Sequence, residues 1–378
     1  MAERNTTTIE LAPERKRFWN NETEAIIGIM FVLMILGTIN VFSSSFISAE
    51  IQYNNPYHFL IRHGINIAVG FVAFIICFRF DYRIWRRYMP FILIFTLLAL
   101  ILVLFRGVEI NGAKRWLALS GVGFQPAEIA KLVAIMIAAA YLSLQVRHQR
   151  KVEIFTVQMG LIAAMFLLTE LEPDMGTASI ILGIPLIMLV VAGLERQKVY
   201  LMIGASLAGA VFMIFRNPYR LERMKVVLDP WSDAQNYGYQ TVQSLSAIGS
   251  GELTGMGLGV GVSKYDYLPE AHTDFAFAIF CQENGFLGAI FVFMLFAALA
   301  IYATRIAAKA RDEFGQMLAM GIMLLIVGQA IGNMLMVGGM FPVVGIPMPF
   351  ISYGGTSLIV TMASMGILAS IGRLGKND

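Results

Sequence analysis

Apolar runs separated by short polar connections organise almost the whole chain. They fall near 25–44, 59–78, 88–105, 125–145, 155–171, 175–194, 198–215, 274–303, 315–338 and 355–373. Most approach the ~20 residues that an α-helix needs to cross the hydrocarbon layer. The pattern predicts an all-α polytopic membrane protein with about ten transmembrane helices spanning 24–373, between polar tails at 1–23 and 374–378. Glu128, Lys131 and Gln158 interrupt the fourth and fifth runs, and polar groups at that depth must face protein or water. One connection stands apart: residues from about 216 to 273 form a large extracytoplasmic loop, and loops of that length tend to carry function. Within it Tyr239, Val242, Leu245 and Ile248 recur every third position, which predicts a helix lying on the membrane surface. Gly249, Gly251, Gly255, Gly257, Gly259 and Gly261 follow, and would let the backbone turn sharply or approach a ligand. A later stretch, "GGMFPVVGIPMPFISYGGTS", is too rich in proline and glycine for regular helix. Irregular backbone near membrane depth survives only when buried in protein or lining a cavity, so this stretch is a candidate wall of a site.

Composition agrees with that pattern and removes several alternatives. Of 378 residues, 57% are hydrophobic and only 14% charged. Lysine and arginine collect in the N-terminal tail, 79–87, 146–154, 195–198, 304–314 and the C-terminus, which predicts that both termini are cytoplasmic. The net charge of +3 reflects this bias, and without a basic stripe interleaved with aromatics there is no case for a nucleic-acid partner. The first 23 residues lack the apolar core of a signal peptide. Cys77 and Cys281 both fall in apolar runs, offering neither a disulfide framework nor zinc-ligand spacing. The glycine-rich segment does not match the dinucleotide-binding fingerprint.

The candidate chemistry lies where polar loops turn into apolar helices. In "YDYLPEAHTDFAFAIFCQENG", Asp274 stands at that turning point. It can be read as a helix N-cap, or as a carboxylate flanked by Glu270, His272 and Thr273 and placed to accept a proton from a hydroxyl or hold a divalent cation. Glu128 and Lys131, three apart in "QPAEIAKL", share a helix face, either as an intrahelical ion pair or as part of a site that attracts phosphate. Arg220 and Arg223 can snorkel to headgroups or grip phosphate with their planar forks, and Arg62 and Arg115 approach the same side. Asp174, after Pro173, reads as the cap of the next helix.

Taken in order, "NGAKRW", "FQPAEIAKL", "EPDMGT", "PYRLERMKVVLDPW", "GYQTVQSLSAIGSGELTGMGLG", "YLPEAHTDFAFAI" and "GIPMPFISYGGTSL" resemble the SEDS family (shape, elongation, division and sporulation), from about residue 25 to 373. The stretches "GMGLGVGVSKYDYLPEAHTDF" and "PYRLERMKVVLDPW" are closer to its division branch, and "FPVVGIPMPFISYGG" leans toward its elongation branch. The resemblance implies a peptidoglycan glycosyltransferase that polymerises lipid II at the outer face of the bacterial cytoplasmic membrane. It would work with a class B penicillin-binding protein and other divisome or elongasome membrane proteins. Asp274 carries over as the catalytic residue, directly or through Mg²⁺ or Mn²⁺. Glu128 and Lys131 correspond to residues lining a central cavity, and Ser352 and Tyr353 to its outer wall. Arg62, Arg115, Arg220, Arg223 and His272 complete the expected substrate-binding set. One departure is that many members carry two adjacent glutamates where this chain has Gln282 and Glu283, followed by Asn284. A lipid II flippase and a scaffold that activates the penicillin-binding protein are the competing readings.

Overall fold

The computed structural model describes residues 22–110, 113–119, 122–216, 218–261, 263 and 268–375. Except for their innermost residues, the tails expected at 1–23 and 374–378 lie outside the described residues, as does Lys264. All ten apolar runs are helical: α1 (Glu22–Tyr53), α2 (His58–Arg79), α3 (Arg83–Arg106), α4 (Pro126–Arg147), α5 (Val157–Leu171), α6 (Met175–Val191) and α7 (Arg196–Arg216), then α10 (Ala276–Ala308), α11 (Glu313–Val337) and α12 (Gly355–Arg373). Eight are long and apolar enough to cross a membrane, and α5 and α6, at 15 and 17 residues, are shorter. Their starts follow local chemistry. Thr156 caps α5, Asp174 caps α6 and Asp312 caps α11, each side chain accepting from a backbone N–H three residues on.

Helix α4, the run with two charges in it, is the centre of the bundle. It is buried from Pro126 to Ser143 except at Ile129, and packs against α3, α5, α6, α11 and α12. Its alanines at 127, 130, 134 and 138–140 allow neighbours to approach closely, as small residues do between membrane helices. Helix α7 is the opposite case: none of its residues is buried, and its main contact is α8 (Pro218–Leu228).

Two connections differ from the sequence-based expectation. Residues 108–124 hold a small antiparallel sheet, β1 (Val108–Ile110), β2 (Ala113–Leu119) and β3 (Val122–Phe124), with Val108 opposite Trp116 and Leu117 opposite Phe124. In the long loop α8 and a 3₁₀ turn (Pro230–Asp233) precede α9 (Tyr239–Ser250). Helix α9 forms over the predicted residues and packs within the protein, but of Tyr239, Val242, Leu245 and Ile248 only Val242 is fully buried. Thr241, Val242, Ser244 and Ala247 are buried, and the Ser244 hydroxyl donates to the Val337 carbonyl of α11 at 2.7 Å.

The glycine-rich segment after α9 has a structural use. Helix α10 is broken at Gly285, where φ is +65°. Met256 and Gly257 N–H groups donate to the Gln282 and Glu283 carbonyls at 3.0 and 3.1 Å, and Phe286 and Leu287 N–H groups donate to Glu252 and Leu253 carbonyls at 3.0 and 3.1 Å. Four backbone bonds thus replace those the break removes. The approach is so close that a Cβ on Gly255, whose φ is +86°, would sit 2.1 Å from the Glu283 carbonyl oxygen. The buried Gln282 amide reinforces the contact by donating to the Ser250 and Ser263 hydroxyls at 2.8 and 3.0 Å. Gly255→Ala is therefore expected to destabilise the protein by about 1–3 kcal/mol, read as a lowered melting temperature in detergent. Gly249→Ala, where added carbon meets nothing within 4 Å, leaves melting nearly unchanged.

Candidate active site

Helices α4, α6, α10 and α12 all begin around one cavity of about 850 Å³. Four helix N-termini directed at one space favour an anion there, because their first N–H groups and dipoles present partial positive charge. The β-sheet supplies Arg115 and Trp116, α8 supplies Tyr219, Arg220 and Arg223, and the irregular 338–354 segment supplies Val343, Gly345 and Pro347. Asp274 and Glu270 come from the turn before α10.

The irregular segment is held by side chains of α11. Gln329 donates to the Pro347 carbonyl at 2.8 Å, and Asn333 donates to both the Ile346 and Asp274 carbonyls, at 2.7 and 2.8 Å. Gln329 also accepts from Lys131 at 3.0 Å, and Lys131 pairs with Glu128 at 2.8 Å. A polar chain thus runs from Glu128 at the cavity wall to the Pro347 carbonyl, and Asn333, one turn further along α11, ties the adjacent Ile346 carbonyl to that of Asp274. Lys131 itself is buried behind Glu128 rather than exposed to the cavity, so the ion pair is real and is also part of the site.

Asp274 does not cap α10. The cap position is Phe275, without a side-chain bond, and among the described residues no hydrogen bond reaches the Asp274 carboxylate. Its Oδ2 lies next to Gly345, whose φ of +73° suits glycine and where a Cβ would come within 3.3 Å. Asp274 is half-buried and lines the cavity. Burial raises its pKa to about 7, with Glu270 and Asp174 adding to the rise and Arg115 and Arg223 opposing it. Glu270 accepts from the Thr273 hydroxyl at 2.6 Å.

The cations differ in how far they are committed. Arg220 is paired with Glu170 of α5, a partner the sequence reading did not name. Arg223 stacks on Tyr219 at 4.5 Å and donates to the Val343 carbonyl. Arg115 donates to the Pro173 carbonyl, while its Nε has no partner among the described residues. Asp174 does cap α6, bonding Thr177 N–H at 3.1 Å, and it also accepts from Gln125 at 2.9 Å within the cavity wall.

Not every expected residue comes to the cavity. Arg62 stays on the exposed face of α2, outside the lining. His272 packs behind the wall between Phe59 and Tyr353, with ring centroids 4.5 and 5.8 Å away, and burial lowers its pKa. Ser352 is buried and accepts from the Met348 N–H at 2.9 Å, whereas Tyr353, Gly354 and Gly355 do line the cavity. Missing from the sequence reading were Gln329, Asn333, Glu170 and any role for Trp116. The signal for the first two was present: amides within an otherwise apolar span are costly without partners.

The fold is that of a polytopic membrane protein whose helix ends enclose a charged, anion-attracting cavity. The chain matches the family model of the FtsW, RodA and SpoVE cell cycle proteins over residues 23–377, and it belongs to that family. It is 38% identical over 345 residues to a probable peptidoglycan glycosyltransferase FtsW of Geobacter metallireducens, covering 90% of this chain and 91% of that one. Stage V sporulation protein E of Bacillus subtilis is 34% identical over 358 residues, covering 93% and 97% of the two chains. Among solved structures, a chain from a peptidoglycan synthase complex that coordinates polymerization and crosslinking superposes with a TM-score of 0.75 at 25% identity, over 94% of this chain and 98% of that one.

The buried pair gives a test of the cavity's construction. Lys131→Met strands the Glu128 charge, so it should cost about 3–5 kcal/mol of stability, whereas Lys131→Met combined with Glu128→Gln should cost less than Lys131→Met alone. Thermal unfolding of the three proteins in detergent measures both.

Proposed function

We propose that this chain is a peptidoglycan glycosyltransferase that joins lipid II units into glycan strands. The observation that carries the proposal is Asp274: a carboxylate without a hydrogen-bond partner among the described residues, enclosed in a cavity that also holds Arg115 and Arg223. A general base needs a free lone pair and a pKa near the working pH, and Asp274 meets both requirements. In the reaction, the acceptor sugar hydroxyl gives its proton to the Asp274 carboxylate while its oxygen attacks the anomeric carbon of the donor. The bond from that carbon to the lipid pyrophosphate breaks, and the leaving group takes the electron pair. Arg115, Arg223 and the converging helix N-termini stabilise the charge that develops there.

Both substrates carry lipid tails, so a site at the helix ends presents sugars and pyrophosphate together while the tails remain in the bilayer. Holding two reactants in one cavity makes their encounter effectively unimolecular. Asp274 and Glu270 would supply one or two carboxylates to Mg²⁺ or Mn²⁺, the remaining positions falling to pyrophosphate oxygens and water. No three His, Cys, Asp or Glu gather among the described residues, so such an ion would depend on substrate oxygens and water for most of its ligands. When bound, the ion would add a Lewis-acid contribution to leaving-group stabilisation.

The distribution of lysine and arginine supports a cytoplasmic location for both termini of a bacterial cytoplasmic-membrane protein, with the cavity on the outer side. Likeness to a chain of a peptidoglycan synthase complex supports a cross-linking partner, for which a class B penicillin-binding protein is the proposal.

Asp274→Asn removes the base without removing a helix cap, and should lower lipid II polymerisation by about 10²–10⁴-fold with normal folding. Gel analysis of polymer made by purified protein measures this, and wild-type rates from the variant would overturn the assignment. For the wild type, the base must be ionised to act. On the acid side the rate therefore falls as pH drops through about 7, which the acid limb of a pH–rate profile reads directly.

A further inference from the structure

Glu172 lies in the turn between α5 and α6, directly before the cavity residues Pro173 and Asp174. It is 1% exposed, and neither carboxyl oxygen has a hydrogen-bond partner among the described residues. A buried acceptor left in this state calls for a reason, because nearly all buried polar atoms are paired. Arg115 reaches the same turn from β2. It donates through Nη2 to the Pro173 carbonyl, lines the cavity, and leaves its Nε without a partner. An unmet donor and an unmet acceptor thus flank one peptide unit.

We propose that Glu172 is a positioning residue for Arg115. Uncharged, it leaves the guanidinium to whatever anion occupies the cavity; ionised, it draws Arg115 into an ion pair through the vacant Nε and away from that anion. The inference deepens the reading of the cavity as a pyrophosphate-lipid site and rests on it. Two charged groups act on Glu172, Asp174 from its own turn and Arg115 from β2, while the neighbouring Glu170 and Arg220 are occupied with one another. Burial, aided by Asp174 and opposed by Arg115, raises the Glu172 pKa to about 8. Its carboxyl is accordingly neutral at pH 7 and ionises as pH rises through about 8, so anion affinity is full on the neutral side and lost on the alkaline side.

The test is binding of geranylgeranyl pyrophosphate to the full-length protein in detergent, followed by calorimetry between about pH 7 and about pH 9.5, either side of the Glu172 transition. For the wild type the dissociation constant should rise roughly tenfold across that range, the scale of one charge-assisted contact. Ionisation of the ligand itself works in the opposite direction, because added negative charge would strengthen binding. Glu172→Gln should keep only the smaller loss that ionisation of the cavity carboxyl Asp274 causes near pH 7. Arg115→Gln should bind more weakly at every pH and show only that same smaller loss, which keeps the proposal testable if Glu172→Gln does not fold. A flat wild-type profile overturns the proposal, and so does an undiminished alkaline loss in either variant. Lipid II polymerisation by the same preparations separates the two readings. A pH step in binding without polymer would sink the transferase assignment alone, and polymer with pH-independent binding would sink the role of Glu172 alone.

Discussion

Backbone N–H and carbonyl groups cannot be left unpaired where water is absent, and that constraint shapes everything distinctive about this fold. Two stretches of non-helical chain lie among the helices: the break in α10 at Gly285 and the 338–354 segment. The first is repaired by another strand of backbone, the glycine-rich segment, through four hydrogen bonds. The second is repaired by side chains, Gln329 and Asn333 reaching from α11 to carbonyls of residues 346, 347 and 274. Because the second repair also grips the carbonyl of Asp274, satisfying the backbone and aiming the reactive carboxylate are one arrangement.

The charges around the cavity follow a related economy. Glu128 cancels Lys131, Glu170 cancels Arg220, and Asp174 spends its acceptors on Thr177 and Gln125. Arg115 and Arg223 hydrogen-bond to backbone carbonyls, so their charge is not cancelled by an ion pair among the described residues. A cavity with two such guanidinium groups and four helix N-termini is a place where an anion is welcome and a carboxylate is pushed toward neutrality only by its own burial and by other acids. Asp274 and the cations are therefore adjusted to one another: the arginines restrain a pKa that desolvation would otherwise carry further from the working range.

Most of the helical frame was legible in the sequence because a membrane helix writes its signature in about twenty successive residues. Even α4, interrupted by Glu128 and Lys131, appeared as a span, and those charges mark it as the helix most surrounded by protein. Asp274, Arg115 and Arg223 were visible as polar residues at the starts and flanks of helices. Illegible were the features that depend on three-dimensional partners. The sheet has strands of three, seven and three residues, two of them too short for alternation to register and the third, "AKRWLAL", without it. Helix α9 has the right period, but sequence alone could not say whether its apolar side meets lipid or α10 and α11. Arg62 has the same charge as Arg115 and a similar place in the chain's topology, yet α2 turns it outward.

The contact between Gly255 and Gly285 also limits how such a sequence can change over time. A Cβ on Gly285 would come within 2.3 Å of the Gly255 nitrogen, and one on Gly255 within 2.7 Å of the Asn284 carbonyl carbon. Neither position can acquire a side chain first without the other segment moving away, and moving away forfeits the bonds that mend α10. The two glycines are thus mutually constrained: a side chain at either one forces apart the segments that both allow to meet.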